Sequence, residues 1–244
     1  MLPAIPRLST RWTGLRAGLG RLARSVPARC AICQRWPAQV LCDTCVADLA
    51  APRPRCLTCA LPVTGHLPHC PDCQYHPPPL DSCHAAVDYV WPWAGLIGQF
   101  KFQQHPGWAQ PLAQLLHSMP GVEGALARAD RLLPMPLSRQ RLAERGYNQA
   151  LLLARHLAPD KTDAHSLLRL RHTPAQSSLS RDARLRNLQG ALALDPLRAP
   201  ALRGLHVLLV DDVMTTGASL HAAARVLRQA GVAQVGAVVL ARTP

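Results

Sequence analysis

The sequence has few lysines, few aromatic residues and no long apolar run. Only Lys101 and Lys161 are lysines among the 27 basic residues, and aromatic residues make up 4% of the 244-residue chain. A core built from its 48% hydrophobic residues must therefore consist mainly of leucine, valine and alanine. No apolar run approaches the roughly 18 residues that a membrane span needs. Arginines interrupt the N-terminus, which argues against a secretory signal, so we expect a cytoplasmic protein without a transmembrane segment.

Acidic residues are also scarce, since 14 of them face 27 basic residues and leave a formal net charge of +13. Because arginine makes forked contacts to phosphate, this excess suggests phosphate-rich partners; the alternative is arginine spread over a solvated surface. Residues 1–29 contain no acid and place apolar residues at helical spacing among their arginines. This basic amphipathic N-terminal segment would contact nucleic acid or the anionic inner membrane face, or else pack its apolar stripe on the next domain.

Eight of the nine cysteines form four C-x-x-C pairs. A two-residue gap lets both sulfurs of a pair face one metal ion, and two pairs complete a tetrahedral zinc site. In a cytoplasmic protein this pattern favours metal binding over disulfides. We therefore predict two structural Zn²⁺ sites in a double zinc ribbon over residues 30–75. The predicted ligands are Cys30, Cys33, Cys42, Cys45, Cys56, Cys59, Cys70 and Cys73.

The spacing leaves two ways to combine the pairs. Sequential pairs would close loops of eight and ten residues, whereas cross-braced pairs would close loops of 22 and 24 residues. Short loops close at less entropic cost, which favours the sequential arrangement. Cys83 has no partner at this spacing and is interpreted as a buried thiol.

The rest of the chain has the pattern of an α/β domain. Residues 76–84 contain a proline run typical of a stiff linker, and residues 85–244 alternate apolar strand-like runs with helical patterns. This alternation predicts a parallel sheet with flanking helices. We expect strands at 85–91, 131–136, 206–210 and 235–242, and helices at 108–119, 146–158 and 218–231.

The stretch VLLVDDVMTTGAS, residues 207–219, combines a buried strand, two acids and a loop of small and hydroxyl residues. Open α/β sheets bind ligands at the carboxyl ends of their strands, where Asp211 and Asp212 are expected. Amide groups at the following helix start favour an anion, and we predict a phosphate monoester there. The two carboxylates would accept hydrogen bonds from ribose hydroxyls; a plain turn with one Asp as helix cap is the alternative. The predicted phosphate loop consists of Thr215, Thr216, Gly217, Ala218 and Ser219.

All thirteen positions resemble the phosphoribosyl-pyrophosphate (PRPP) motif of type I phosphoribosyltransferases. Residues 134–154 and 171–192 are similar to the ComF/GntX family, which is associated with competence and DNA uptake and typically carries an N-terminal double zinc ribbon. The resemblance covers about residues 30–242. It implies a type I phosphoribosyltransferase-like parallel sheet with flanking helices, preceded by the small cysteine-rich domain.

The resemblance also assigns individual positions. Lys101 and Phe102 match the family's lysine-aromatic pair, although Gln103 and Gln104 stand where basic and glycine residues are usual. Leu192 stands where the family often has phenylalanine. The matched signature residues are Arg145, Gly146, Tyr147, Asn148, Gln149, Arg171, Thr173, Gln176, Arg184 and Asn187.

The resemblance implies PRPP as ligand, accompanied by Mg²⁺, with Asp211, Asp212 and Arg145 as catalytic residues if the chain is a transferase. The loop with Pro136, Leu137, Ser138 and Arg139 would surround the pyrophosphate.

No acceptor site is evident, so the sequence leaves the enzymatic status open. One hypothesis is an accessory protein of DNA uptake and natural competence that binds PRPP, single-stranded DNA and proteins of the uptake machinery. The alternative is a phosphoribosyltransferase of nucleoside metabolism with an unidentified acceptor.

Overall fold

The computed structural model describes residues 28–65, 67–171 and 190–244. The chain divides into two compact units, Met1–Ala47 and Asp48–Pro244. In the first unit, Ala28 and Ala38 form an antiparallel bridge, and the amide of Gln34 donates to the carbonyl of Cys30 across a tight turn. Helix α1 (Asp43–Leu49) begins directly after Cys42. The turn and the helix start thereby bring the four cysteines of this unit together.

The second unit contains the parallel strands β1 (Ser82–Asp88), β2 (Arg131–Pro134), β5 (His206–Met214) and β6 (Gln234–Arg242). They form one four-stranded sheet in the order β1-β6-β5-β2. Every residue of β6 after Gln234 is buried, as expected for a parallel strand that is covered on both faces. The register pairs Leu133 with Leu209 and Met214 with Arg242.

Helices connect and cover these strands, as the alternating pattern predicts. The helices are α2 (Pro71–Tyr75), α3 (Trp93–Phe102), α4 (Ala109–His117), α5 (Val122–Arg128), α6 (Arg139–Arg145), α7 (Gln149–Leu157) and α8 (Ala218–Gln229). Helix α7 packs on α4, β5 and β2, while α8 packs on β6. Short 3₁₀ turns occupy Pro106–Trp108, Pro159–Lys161 and Ala199–Leu202. None of the helices in the described ranges is long and apolar enough to cross a bilayer.

A small antiparallel hairpin-like pair, β3 (Leu167–Arg169) and β4 (Leu192–Leu194), lies outside the main sheet. Arg169 pairs with Leu192, and β4 contacts α8. Residues 172–189, between these strands, are outside the described ranges. The signature positions Thr173, Gln176, Arg184 and Asn187 fall there, and so does most of the N-terminal segment 1–29.

The structure contains elements that were not expected, namely helices α1, α2, α3 and α5 and the short strands β3 and β4, and it differs from the expected elements in further places. β1 begins at Ser82, inside the predicted linker, because its pairing with β6 starts at Gly236. Helix α6 was not expected, and α7 begins only at Gln149, where the Asn148 side chain accepts a hydrogen bond from the amide of Leu151. β5 continues to Met214, so the two acids lie within the strand rather than beyond it. The domain limits at residues 30, 76 and 85 stay predictions.

Candidate functional site

A cleft of about 710 Å³ lies where β2 and β5 end, beside the end of α3 and the starts of α7 and α8. Both predicted acids and the apolar residues of the loop after β2 line it. The charged residues in its lining are Lys101, Arg141, Glu144, Arg145, Arg169, Asp211 and Asp212. Four cations thus face three anions, so the cleft combines a basic wall with a pair of acids.

The two adjacent acids are held differently. Asp212 is 7% exposed, and its Oδ1 lies 2.9 Å from Nζ of Lys101. Asp211 accepts a 2.9 Å hydrogen bond from the backbone amide of Asp212. Burial first, and then repulsion from Asp212, raise the pKa of Asp211 to about 7. At neutral pH the pair therefore offers one carboxylate compensated by lysine and one that accepts a proton easily.

The loop after β5 wraps the start of α8, as predicted. Gly217 precedes the helix with a φ of 78°, where a side chain is strained. A Cβ at this position would also lie 2.5 Å from Cε of Met214, so a larger residue would have to displace the end of that side chain as well. Asp211, Thr215, Gly217, Ala218 and Ser219 line a small cavity of about 60 Å³ here. The first turn of α8 contains no acid, which suits an anion at the helix start.

The signature residues 145–149 brace the end of α3. The hydroxyl of Tyr147 donates to the carbonyl of Phe100 at 2.6 Å, and Nε2 of Gln149 donates to the same carbonyl at 3.3 Å. The guanidinium of Arg145 lies 5.2 Å from the ring centroid of Phe102 and donates to Oε1 of Gln149. These contacts fix the last turn of α3, from which Lys101 reaches Asp212. The signature therefore positions a cation against the acid pair.

Asn148 of the signature and Ser138 position the loop after β2. Nδ2 of Asn148 donates to the carbonyl of Met135 at 3.0 Å. Ser138 is buried and accepts a hydrogen bond from the amide of Arg141, which starts α6. Pro136 and Leu137 line the cleft as expected, but Ser138 and the exposed Arg139 do not appear in its lining.

Arg141 and Arg169 are cleft residues that the sequence analysis missed. Burial lowers the pKa of both guanidinium groups. The nearby Arg145 lowers the pKa of Arg141 further, and Arg141 in turn lowers the pKa of Arg169. Cations that destabilise one another in this way favour a bound anion. Arg141 and Arg145 stand four residues apart on α6, a spacing that places them on one helix face. Arg171, which the resemblance assigns to the family signature, is exposed and outside the cleft lining.

Both groups of four cysteines have the geometry of a metal site. Within each group the sulfurs lie within 4.8 Å of one another. Sγ distances are 3.9 Å for Cys30 to Cys45 and 3.7 Å for Cys59 to Cys70. A tetrahedral zinc ion with Zn–S bonds of about 2.3 Å requires sulfurs about 3.8 Å apart. Both clusters can therefore hold zinc, and the pairs combine sequentially, as favoured by the spacing.

Comparison with known proteins agrees with this architecture. A model of the phosphoribosyl transferase domain matches residues 159–244. The DNA utilization protein YhgH of Escherichia coli O6:H1 (strain CFT073) is 33% identical over 232 residues, covering 90% of this chain and 99% of the relative. Competence protein F of Haemophilus influenzae is 34% identical over 212 residues, covering 83% of this chain and 90% of the relative. The chain belongs to the ComF/GntX family.

This membership confirms the resemblance to the ComF/GntX family, while the residue assignments within the PRPP-type motif and the signature stay predictions. The ComF/GntX chain has the phosphoribosyltransferase-like fold, and its cysteine clusters are consistent with a double zinc ribbon. A solved structure described as the allosteric regulatory enzyme of purine biosynthesis is similar over 58% of this chain and 29% of its own, with 16% identity and a TM-score of 0.34. The family assignment rests on the sequence relatives.

Proposed function

We propose that this ComF/GntX protein binds PRPP in the cleft and associates with single-stranded DNA, as an accessory protein of DNA uptake or utilization. The observation that carries the proposal is the pair Asp211 and Asp212 beside the small cavity of the phosphate loop, within one basic cleft. The loop would hold the 5-phosphate, and the carboxylates would accept hydrogen bonds from the two ribose hydroxyls.

The basic wall of the cleft supports binding of the pyrophosphate group. Arg141, Arg145 and Arg169 supply fixed positive charge, and the loop with Pro136 and Leu137 forms the adjacent surface. Mg²⁺ would accompany the pyrophosphate and offset its charge. The protein's own contribution would be to orient the ligand and to hold its anionic groups between the two loops.

The second candidate function is phosphoribosyl transfer, which the intact acid pair and the arginine cluster favour. The acceptor would displace pyrophosphate at C1 of the ribose, breaking the C1–O bond as the new bond forms. Arg141 and Arg145 would stabilise the departing charge, so that most of the catalysis would be electrostatic. Because no acceptor is identified, we propose the accessory role as the main function and the transfer reaction as the alternative.

Association with DNA is supported by the names of the relatives and by the charge of the chain. The formal net charge of +13 comes mostly from arginine, which contacts phosphate well. Trp36, Trp91 and Phe102 are 61%, 77% and 69% exposed, and such aromatic faces can stack on bases. We propose a cytoplasmic protein that meets DNA and the uptake machinery at the inner membrane face.

The proposal is tested by titrating the zinc-loaded protein with Mg²⁺-PRPP and with single-stranded DNA in a calorimeter. The double variant Asp211→Asn with Asp212→Asn should lose PRPP binding and keep DNA binding. The variant Asp48→Asn with Asp160→Asn removes the same charge from exposed positions outside the cleft lining and should bind both ligands like wild type. If the wild-type protein did not bind PRPP at millimolar concentration, the assignment of PRPP as ligand would be refuted.

DNA binding is tested separately through its salt dependence. Contacts to phosphate release counterions, so the logarithm of the affinity should fall linearly with the logarithm of salt concentration. An affinity that does not respond to salt would contradict a phosphate-backbone mode. A PRPP-saturated protein that converts nucleobases to nucleotides would instead support the transferase.

A further inference from the structure

Arg242, the last residue of β6, is a buried cation bound only by carbonyl oxygens within the described part of the chain. It is 8% exposed. Its Nε donates to the carbonyl of Cys59 at 2.9 Å, and its Nη1 donates to the carbonyls of Met214, Thr215 and Thr243. A buried guanidinium without a carboxylate is costly unless its donors are satisfied, so these bonds define its position.

The acceptors of Arg242 belong to two separate features. Cys59 is a ligand position of the second cysteine cluster, which comprises Cys56, Cys59, Cys70 and Cys73. Met214 is the last residue of β5, and Thr215 begins the phosphate loop. Among the described residues, Arg242 is the side chain that hydrogen-bonds to both features. Its fork spans them because Nε and Nη1 donate in different directions, which the single ammonium of lysine cannot reproduce.

Two other contacts connect the turn after Cys56 to β1, and from there Sγ of Cys83 donates to Sδ of Met214 at 3.7 Å without contacting a carbonyl of the phosphate loop. The amide of Cys83 donates to the carbonyl of Leu57 at 2.7 Å, which ties the turn after Cys56 to β1. Nη1 of Arg55 donates to the carbonyl of Ala60, while its Nη2 lies 2.9 Å from Oδ1 of Asp88 at the end of β1. Arg55 is thus a second arginine that braces the same turn without contacting the phosphate loop.

The bonds of Arg242 also orient peptide groups in the loop. In a trans peptide the carbonyl of one residue and the amide of the next point in opposite directions. The carbonyl of Met214 also accepts a hydrogen bond from the amide of Thr243 at 3.0 Å, so the specific effect of Arg242 is on the carbonyl of Thr215. When both carbonyls are held in this way, the amides of Thr215 and Thr216 face away from Arg242. An anion site built from backbone amides depends on such fixed peptide planes.

We propose that Arg242 is a positioning residue through which the second cysteine cluster, when it holds zinc, fixes the geometry of the phosphate loop. Zinc holds the Cys56–Cys59 turn, and the turn supplies the carbonyl that anchors the guanidinium. The guanidinium then orders the start of the loop. This inference rests on the proposed PRPP binding for its functional consequence, but the mechanical link is independent of the ligand's identity.

The first test compares Arg242→Lys with the matched variant Arg55→Lys. Both variants should retain two zinc ions per chain by elemental analysis. Arg242→Lys should bind Mg²⁺-PRPP about tenfold more weakly, as expected for the loss of one or two charge-assisted hydrogen bonds. Arg55→Lys should change the affinity by less than about twofold. Equal losses in both variants, or wild-type affinity in Arg242→Lys, would overturn the proposal.

The second test does not depend on ligand binding, and its first comparison uses wild-type protein alone. Amide hydrogen exchange at residues 214–219 is measured in wild-type protein with zinc bound and after graded chelation, with residues 235–239 of β6 as internal reference. Exchange in the loop should accelerate on zinc loss before the reference amides respond, and it should also be faster in Arg242→Lys than in Arg55→Lys. Loop exchange that is indifferent to zinc would refute the link. If wild type failed to bind PRPP, the proposed function would fail while this result still decided the role of Arg242.

Discussion

Lys101 and Asp212 form an ion pair in which Nζ lies 2.9 Å from Oδ1, with side chains only 14% and 10% exposed. The pair joins the end of α3 to the end of β5 that lines the cleft. Because Asp211 adjoins Asp212, the same cation also lowers the pKa of Asp211 against the stronger effect of burial. Lys101 therefore favours the ionised form of Asp211 near neutral pH, the form that would accept hydrogen bonds from a ribose in the proposed complex.

The variant Lys101→Gln should bind Mg²⁺-PRPP about tenfold more weakly at pH 7, because it removes one partner of a largely buried pair. Part of the loss should be recovered at pH 8.5. Removing the cation raises the pKa of Asp211 further, so the carboxylate forms only at higher pH. Calorimetric titrations between pH 6.5 and 8.5 would measure the shift.

Lys161 provides the matched control, since it is the other lysine of the chain. Its Nζ donates to the carbonyls of Leu126 and Ala127 at the end of α5, away from the cleft lining. Lys161→Gln should cost roughly 1 kcal/mol of stability through the lost helix-end contacts. It should leave the pH profile of PRPP binding unchanged, and a shifted profile in this variant would contradict the specific role of Lys101.

Asp211→Asn should stabilise the protein while abolishing PRPP binding. A carboxyl group whose folded pKa is about 7 binds its proton more tightly in the folded than in the unfolded chain, where the value is near 3.8. Stability is therefore lost as pH rises from 4 through 7, and the amide variant avoids this loss. We expect a gain of roughly 1–2 kcal/mol at pH 8, allowing for the partial exposure of the side chain.

The difference in free energy of unfolding between Asp211→Asn and wild type should narrow as pH falls from 8 to 6, because the wild-type carboxyl becomes protonated in the folded state. Urea unfolding at several pH values measures this. The exposed-site variant Asp48→Asn should follow wild type throughout. A gap that widened toward pH 6 would show that the pKa of Asp211 is lowered rather than raised in the folded protein.

The sequence predicted the parts of this protein whose geometry follows from local spacing. The C-x-x-C pairs imply tetrahedral sites, and loop entropy selected the sequential combination that the structure shows. Helix α6 escaped prediction because none of its residues is buried, so it has no hydrophobic periodicity. Arg141 was missed with it. The role of Arg242 depends on a contact across 183 residues of sequence, which no local pattern reveals.

Gly217→Ala should damage the phosphate loop, because the residue has a φ of 78° and a Cβ would lie 2.5 Å from Cε of Met214 and 2.8 Å from Nε2 of His221. We expect a loss of about 1–3 kcal/mol in stability and no detectable binding of Mg²⁺-PRPP. Thermal unfolding followed by circular dichroism, together with calorimetry, would check both effects.

Gly98→Ala is the control for this substitution. Gly98 lies inside α3, and a Cβ there would meet no atom within 4 Å. Alanine should stabilise the helix by roughly 0.5–1 kcal/mol and leave ligand binding intact. If both variants bound PRPP equally well, the glycine at the start of α8 would not be needed for the loop's conformation.

The two cysteine clusters should differ in what they stabilise. Cys56, Cys59, Cys70 and Cys73 belong to the same hydrophobic cluster as Leu209 and Val239 of the sheet. Cys30, Cys42 and Cys45 instead pack with Ile32 and Ala38 in a separate small cluster. Zinc loss from the second site should therefore disturb the sheet's own core, whereas loss from the first site should be confined to the N-terminal unit.

The variants Cys70→Ser and Cys42→Ser test this difference, since each removes one buried thiolate from one cluster. Elemental analysis should give one zinc ion per chain in each variant, against two in wild type. Cys70→Ser should lower the stability of the sheet by several kcal/mol, because a lost metal ligand also leaves its core neighbours unsupported. Cys42→Ser should leave amide exchange in β5 and β6 as slow as in wild type. Equal acceleration of these amides in both variants would mean that the first cluster also supports the sheet.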